Sequence, residues 1–241
     1  MRISFCTTCA NRLHYFRQTF DANLRIILKN SNTEWIILNY NSKDELHEFM
    51  VERISLLPPQ IIYARDLSDR PWHTSVAKNI AHRLGSGDIL VNLDCDNFIG
   101  DMIEAICAHF QTDIQVLHLW SGTFMDGTFG RIAIDRKAFY DLGGYDESFH
   151  PAGHQDVDVL ERAKAKGMTV LHSPSQHDAA IQNNKEETIE YYATDLKWRE
   201  MEKKNRGKSK SNIKNHRLVA NDRMGWGKTR LEIIPGRDGK S

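Results

Sequence analysis

The first hundred residues alternate between short apolar runs and longer stretches in which apolar residues recur every three or four positions. The apolar runs have the length and continuity of buried strands, and they lie at residues 2–6, 34–39, 60–64 and 89–93. The longer stretches have the spacing of one face of a helix, most clearly at Leu13, Phe16, Phe20, Leu24, Ile27 and Leu28. Strands that alternate with helices in this way predict a largely parallel sheet with helices on both faces.

Polar residues and glycines predict where some of these helices begin and end. Ser42 and Glu45 have the spacing of a capping box that would open the second helix. Gly85 is expected to end the third helix, which precedes the apolar run at 89–93. Ligands of such sheets bind at the carboxyl ends of the strands, so the residues that follow each run are the first candidates for a site.

The second half of the chain has a less regular pattern. Strands are predicted at residues 115–120 and 130–134, and a glycine-containing loop separates them. Asp135 can cap a short helix, and a longer helix is expected to start near Gln155 and end at Gly167. Residues 168–171 form the last predicted core strand. The fold class is therefore α/β, with a mixed second half.

Composition and length are those of an ordinary globular protein. The chain has 241 residues, of which 40% are hydrophobic and 27% charged. No apolar stretch approaches the roughly 20 residues needed to span a bilayer, and the first residues lack the long apolar region of a signal peptide. We therefore expect a cytoplasmic location. Four cysteines in so long a chain do not indicate a disulfide scaffold.

The neutral total charge hides a difference between the two ends of the chain. Residues 197–241 carry 14 Lys and Arg and 5 Asp and Glu, a formal +9, so residues 1–196 carry −9. We place a boundary here, between a domain of residues 1–196 and a basic C-terminal extension of residues 197–241. Its polar segment 203–211 is typical of a linker or mobile loop. The extension can be a solvated tail, a loop that closes over a diphosphate, or a weak peripheral anchor to anionic lipid. No nucleic-acid-binding module is recognised, so no nucleic-acid partner is expected.

Asp94-Cys95-Asp96 is the most informative motif of the chain. It follows the apolar run at 89–93 directly. In an extended chain alternate side chains share a face, so both carboxylates can point at one ion. Two hard oxygen donors suit Mg²⁺ or Mn²⁺ that holds a phosphorylated ligand. An ordinary strand-to-turn junction is the alternative, because Asp and Asn are common in turns.

Three other segments accompany this motif. Residues 34–44 read Glu-Trp-Ile-Ile-Leu-Asn-Tyr-Asn-Ser-Lys-Asp, Lys78-Asn79 precedes the apolar run, and residues 143–158 read Gly-Gly-Tyr-Asp-Glu-Ser-Phe-His-Pro-Ala-Gly-His-Gln-Asp-Val-Asp. In this order the set resembles family 2 glycosyltransferases, and residues 143–162 resemble the C-terminal module of galactosyltransferases. The similarity covers roughly residues 1–180, and the set is far more specific than any single motif. It implies a GT-A fold, which is a Rossmann-like, mostly parallel sheet flanked by helices.

The resemblance also implies a reaction and a set of donor-binding residues. The protein is expected to be a metal-dependent, inverting glycosyltransferase that moves a hexosyl or N-acetylhexosaminyl group from a nucleotide-diphosphate donor, expected to be a UDP-sugar, to an acceptor hydroxyl. The cofactor is expected to be Mn²⁺ or Mg²⁺, bound by Asp94, Asp96 and His177, with His172 as the second choice for the histidine. The residues implied to hold the donor are Thr7, Thr8, Arg12, Asn39, Lys78, Asn79 and Asp94.

The acceptor side is expected at the start of the long helix near Gln155. Asp156 matches the general base of the family, and a helix N-terminus favours an ionised carboxylate. Gln155, Trp120 and Tyr145 are the residues expected to contact a carbohydrate or glycolipid acceptor. Alternatively, Asp156 only complements the helix dipole, which is the role expected for Asp158.

Two departures from the family pattern leave a second hypothesis open. Asn39 and Tyr40 stand where family members usually carry two aspartates, and Gln155 replaces a glutamate. An asparagine offers both a hydrogen-bond donor and an acceptor, so recognition of uracil remains an expectation. The alternative is a noncatalytic nucleotide-sugar-binding protein of the same fold.

Cys6-Thr-Thr-Cys9 suggests a competing chemistry. The motif is predicted to join a strand to a helix, which is the setting of thiol redox sites. No second pair with zinc-ligand spacing is present in the sequence. The redox hypothesis leaves Asp94-Cys95-Asp96 unexplained, so we expect both cysteines to be small buried residues. A nucleotidyltransferase of related fold would need a basic phosphate-binding loop after the first strand, and Thr7-Thr-Cys-Ala-Asn is poorly suited to that.

Overall fold

The computed structural model describes residues 1–174, 180–182, 192–222 and 225–237. In chain order these residues form β1 (Ile3–Cys9), α1 (Leu13–Lys29), β2 (Thr33–Asn39), α2 (Leu46–Ile54), β3 (Ile61–Asp66), α3 (Thr74–Leu84), β4 (Ile89–Asn92), α4 (Met102–His109), β5 (Val116–His118), β6 (Ile132–Asp135), α5 (Arg136–Asp141), α6 (Gln155–Ala165), β7 (Val170–His172), α7 (Trp198–Lys214) and β8 (Leu231–Pro235). Every strand and helix predicted above is present, with shifts at the ends; α4, α7 and β8 were not predicted.

The strands form one sheet whose order is β7-β5-β6-β4-β1-β2-β3-β8. Strands β3, β2, β1 and β4 run parallel to one another. Strand β6 is antiparallel to β4 and β5, and β8 is antiparallel to β3. The predicted fold class is confirmed: the sheet is parallel in its first half and mixed in its second. The parallel strands all end at one edge, which brings the β1–α1 turn beside the turn after β4.

Helices cover both faces of the sheet because side chains alternate along each strand. Residues of α1, α2 and α4 form one apolar cluster with one face, and residues of α3 form another with the opposite face. In the first cluster the rings of Phe16 and Phe20 lie 5.8 and 5.5 Å from that of Trp35. Burial of each such side chain contributes about 1.5–3 kcal/mol, so the stripe of α1 fixes that helix on the sheet.

The Cys6-x-x-Cys9 motif lies within β1 and not in a strand-to-helix turn, because β1 continues to Cys9. Three positions along a strand place two side chains on opposite faces. Accordingly Cys6 packs in the α3 cluster and Cys9 in the α1 cluster. Both are buried free thiols, and burial raises the pKa of Cys6 well above its ordinary value. The expectation that these cysteines are small buried residues is confirmed.

Two local predictions were wrong. Helix α2 begins at Leu46, and the predicted capping box of Ser42 and Glu45 does not form. The Ser42 hydroxyl donates to Asp44 and accepts from the Asn11 amide, and Asp44 accepts from the Leu46 amide over 3.2 Å. Residues 168–171 were predicted as a core strand, whereas β7 is a half-exposed strand at the end of the sheet.

The basic C-terminal extension contains regular structure. Residues 203–211, which were predicted to be a linker or mobile loop, lie within helix α7. The Lys197 amide donates to Glu200 at its start, over 2.9 Å, and α7 packs on α6. Strand β8 then pairs with β3. None of the helices in the described ranges is long and apolar enough to cross a bilayer.

Candidate active site

A cleft of ≈ 1570 Å³ lies where β1 and β4 end and α6 begins. Thr8 lines it from the end of β1 and Arg12 from the β1–α1 turn. Asp94 and Asp96 line it from the turn after β4, and Asp156 from α6. One rim is aromatic and includes Trp120, Phe124 and Phe129; the other is formed by the first turns of α7, including Trp198 and Glu202. The cleft is therefore at the edge of the sheet where the topology predicts a ligand site.

A turn presents the two carboxylates of Asp94 and Asp96 to the cleft. Strand β4 ends at Asn92, and the Asn97 amide donates to the Asp94 carbonyl over 2.9 Å. The expected same-face geometry of an extended chain is thus replaced by turn geometry. The side chain of Asn92 donates to Asp94 over 3.1 Å, and that of Asn97 donates to Asp96 over 2.8 Å. Neighbouring amides therefore fix both carboxylates.

A buried lysine joins Asp94 to the predicted base. The Lys78 ammonium lies 2.7 Å from Asp156 Oδ1 and 3.5 Å from Asp94 Oδ1, and its side chain is 4% exposed. Burial alone would lower the pKa of Lys78, but the charges of Asp156 and Asp94 raise it above its ordinary value. Lys78 is therefore a fixed positive charge between the strand-end turn and α6.

The carboxylates of Asp94 and Asp156 both lie beside Gly130. A Cβ at this position would lie 2.6 Å from Asp94 Oδ2 and 3.4 Å from Asp156 Oδ2. The Gly130 carbonyl also accepts from the Asn92 side chain over 2.8 Å. Any side chain here would occupy the space between the carboxylates. The sequence analysis missed Gly130, although its place just before β6 was a usable signal.

Two aspartates in the first turn of α6 have different surroundings. Asp156 faces the cleft, while Asp158 is fully buried and accepts from Arg162 over 2.6 Å. Arg162 also donates to the carbonyls of Leu142 and Gly144, each over 2.8 Å. Asp158 thus fixes the start of α6 on the preceding Gly-Gly turn through Arg162. The role predicted for it was to complement the helix dipole, and the ion pair with Arg162 was not predicted.

The donor set fits a hard divalent cation. The Arg12 guanidinium lies 3.6 Å from the Asp96 carboxylate. Its positive charge would help to neutralise a phosphate bound beside Asp96. No group of three or more His, Cys, Asp and Glu residues is arranged to hold a metal in the described part of the chain. The protein would then supply two carboxylates, and a diphosphate and water the remaining ligands, which is the usual coordination of Mg²⁺ by enzymes that bind phosphates. His172 contacts the Trp120 carbonyl over 3.0 Å, and His177 lies outside the described residues.

Eight of the thirteen predicted site residues meet in the cleft. Those that line it are Thr8, Arg12, Lys78, Asp94, Asp96, Trp120, Gln155 and Asp156. Gln155 is nearly buried and donates to the His150 carbonyl over 3.1 Å. The rings of Phe124 and Phe129 lie 4.9 and 5.2 Å from Trp120. Trp120 thus belongs to an apolar wall.

Thr7 and Asn39 are turned into the interior. Thr7 accepts from the Trp35 indole over 2.9 Å, because it lies on the opposite face of β1 from Thr8. Asn39 donates to the Tyr63 hydroxyl over 2.9 Å and accepts from the Ser42 amide over 2.8 Å. The structure commits these side chains to protein partners, and their contact with a donor stays a prediction.

Asn79 and Tyr145 do not line the cleft; both are buried and hydrogen-bonded to each other. The Asn79 side chain donates to the Tyr145 carbonyl and accepts from the Tyr145 amide, both over 2.8 Å, and it also donates to Glu147. Tyr145 is fully buried under Lys78, whose ammonium lies 5.4 Å from the ring. Burial raises the pKa of Tyr145 above its ordinary value. Contact of either residue with a ligand likewise stays a prediction.

The cleft wall formed by α7 was missed by the sequence analysis. The Glu202 carboxylate lies 3.8 Å from the ring of His154, which is the residue directly before α6. His154 has a left-handed backbone (φ 74°), and burial lowers its pKa. No motif connects α7 to the cleft, since more than 40 residues separate Glu202 from Asp156 and the helix is mostly polar.

Comparison with known proteins agrees with this geometry. The sequence model described as "Glycosyl transferase family 2" matches residues 4–146. No curated protein matches the sequence.

Several solved structures share the fold at low sequence identity. The mannosyltransferase PcManGT from Pyrobaculum calidifontis, in complex with GDP-Man and Mn²⁺, is 14% identical with a TM-score of 0.64; the match covers 89% of this chain and 64% of that one. TarS of S. aureus, residues 1–349 with UDP, is 12% identical with a TM-score of 0.58, over 83% and 68% of the chains. A variant of Drosophila β1,4-galactosyltransferase 7, with manganese, UDP-Gal and xylobiose, is 11% identical with a TM-score of 0.55, over 99% and 96%.

Proposed function

Because the chain belongs to glycosyl transferase family 2, we propose that it transfers a sugar from a nucleotide-diphosphate donor to an acceptor hydroxyl, with inversion at the anomeric carbon. One observation carries the proposal: Lys78 bridges Asp94 and Asp156. A transferase must bring its donor-binding carboxylates and its base to one sugar, and these two carboxylates converge on Gly130.

Asp156 is the proposed general base. Its carboxylate faces the cleft, and the ammonium of Lys78 holds one of its oxygens at 2.7 Å. The other oxygen points to the space beside Gly130, where it can accept the proton of an acceptor hydroxyl. In the proposed reaction the acceptor oxygen gives its proton to Asp156 and bonds to the anomeric carbon as the bond to the diphosphate breaks. A single displacement from the opposite side inverts the anomeric centre.

Asp94 and Asp96 are the proposed ligands of Mn²⁺ or Mg²⁺, and Arg12 is the proposed phosphate contact. When bound, the ion stabilises negative charge on the leaving diphosphate. Thr8, at the end of β1, and Arg12, in the β1–α1 turn, flank this position. We propose a UDP-linked donor that carries a hexose or an N-acetylhexosamine; PcManGT, TarS and the galactosyltransferase were solved with GDP-Man, UDP and UDP-Gal respectively.

The acceptor is proposed to be a carbohydrate or a glycolipid. Trp120, Phe124 and Phe129 form an apolar wall on the cleft, and sugars stack their apolar faces on aromatic rings. Gln155 lines the cleft as the first residue of α6. Phe124 is 79% exposed, which leaves this wall accessible from solvent.

A weak contact with anionic membranes is a further part of the proposal. The exposed face of α7 carries Lys203, Lys204, Lys208, Lys210 and Lys214, among other basic residues. Basic residues near an anionic surface contribute about 1 kcal/mol each. Co-sedimentation should therefore occur with vesicles that contain phosphatidylserine and be lost in high salt. Equal binding to uncharged vesicles would contradict it.

A panel of nucleotide sugars tests the proposed reaction. Transfer or slow hydrolysis is expected for one donor in the presence of Mn²⁺ or Mg²⁺ and should be lost with EDTA. Metal-dependent nucleotide binding with no transfer to any acceptor would instead indicate the noncatalytic binder. The sequence argument for it is that Gln155, Asn39 and Tyr40 replace acidic residues usual in the family. No binding of any nucleotide would overturn both hypotheses.

A further inference from the structure

The side chain of Asn205, on α7, is saturated by the loop that precedes α6. It accepts from the His150 amide over 2.7 Å. Its amide group donates to the carbonyls of His150, Ala152 and Gly153, over 3.1, 3.0 and 2.8 Å, and shares two hydrogens among the three. Asn205 is 1% exposed. A single side chain thus satisfies backbone groups that would otherwise be buried without partners.

This loop determines where α6 begins. Two residues after Gly153, the helix starts at Gln155, and Asp156 follows in its first turn. On its other side the loop is tied to α3, since the Thr74 amide donates to the Pro151 carbonyl over 2.9 Å. Helix α3 carries Lys78, the partner of Asp156. The loop therefore connects the two helices whose side chains form the buried ion pair.

Helix α7 approaches the loop too closely for any residue but glycine at 153. A Cβ on Gly153 would lie 2.7 Å from Glu202 Cβ, and its φ of +87° is itself in the region that glycine favours. Glu202 lies one turn before Asn205 on the same helix. The contact between α7 and the loop thus extends over a full helical turn and ends at the rim of the cleft.

We propose that Asn205 is a positioning residue for the transfer reaction: it holds the loop at 150–153 so that α6 presents Asp156 to Lys78 and Asp94. The reaction itself rests on the proposed function. Asn205 touches no reacting atom and acts through the loop. A displacement of about 1 Å at a catalytic group can cost 10²-fold in rate. The effect therefore belongs to turnover and not to donor binding, whose proposed residues lie on β1, in the β1–α1 turn and in the turn after β4.

Two variants and one control test the proposal. Asn205→Ala removes all the loop hydrogen bonds, whereas Asn205→Asp keeps the size of the side chain and the acceptor for His150 but turns a carboxylate toward three carbonyls. Ser209→Ala is the control, because Ser209 is buried on the same face of α7 and its hydroxyl has no hydrogen-bond partner among the described residues. For both Asn205 variants we expect kcat to fall by about tenfold or more, UDP affinity to stay within about twofold, and the amides of residues 150–156 to exchange faster. Ser209→Ala should match the wild type.

Three results would overturn the proposal. The first is wild-type kcat in a folded Asn205→Ala protein. The second is unchanged amide exchange at 150–156, and the third is a loss of UDP affinity in proportion to kcat, as a general loss of structure would give. If neither variant folds, Asn205→Ser, which keeps a polar group at the position but cannot reach all four backbone partners, takes their place, and the same kinetic split decides. A wild-type protein that transfers no sugar would overturn the proposed function alone, because amide exchange reads the loop without turnover.

Discussion

Replacing Lys78 by Met removes the charge that lies between Asp156 and Asp94. Breaking a fully buried ion pair costs about 3–5 kcal/mol. Here the lysine side chain is 4% exposed but the carboxylates are 24% and 33% exposed, so water screens part of the unpaired charge. We therefore expect the free energy of unfolding to fall by about 2 kcal/mol, which lowers the Tm of a chain of this size by about 4–8 °C.

The assay is urea unfolding at pH 7 of the wild type and two variants. The pKa of Lys78 is raised in the folded protein, so its contribution is fully present below the ordinary lysine pKa of about 10.4 and is lost only above it. Lys137→Met is the control: its ion pair with Asp141 is exposed, with a lysine side chain 82% accessible, and no measurable change is expected. A Lys78→Met protein as stable as the wild type, or an equal loss in both variants, would refute the reasoning.

Two other substitutions address the donor side of the cleft. Asp96→Ala should abolish or greatly weaken metal-dependent UDP binding in calorimetry, because it removes one of two proposed ligands; metal-independent binding of wild-type strength would contradict the ion bridge. Gly130→Ala should reduce turnover by about tenfold or more, because the added carbon would lie 2.6 Å from Asp94 Oδ2. Its control is Gly207→Ala, where the added carbon meets no atom within 4 Å among the described residues outside the backbone of its own helix; this change should stabilise α7 by about 1 kcal/mol. Wild-type turnover in Gly130→Ala would show that the space is not used.

The sheet and its main site could be predicted from the sequence because both follow from periodicity. Apolar runs of strand length fixed the parallel half, and Asp94 and Asp96 came at the end of one of them. The direction of a single polar side chain could not be read in this way. Asn39 and Asn79 have the residue type of nucleotide contacts, yet their amides find partners inside the protein.

Helix α7 was missed for a related physical reason. Its buried stripe consists of Met201, Asn205 and Ser209, so two of its three inward positions are polar and give no hydrophobic period. Hydrogen bonds between Asn205 and the loop also hold the helix in place. Gly130 was missed because only the folded chain brings Asp94 and Asp156 to one point.

Kinetics of Asp156→Asn test the central claim most directly. The measurement is turnover with the donor and acceptor found in the panel, together with UDP affinity, for the wild type, Asp156→Asn and Asp158→Asn. A base acts mainly in the transition state, so Asp156→Asn should lower kcat by about 10²-fold or more and leave UDP affinity nearly intact. Asp158→Asn should mainly lower stability, because it unpairs the buried Arg162. Undiminished turnover in Asp156→Asn would contradict the account.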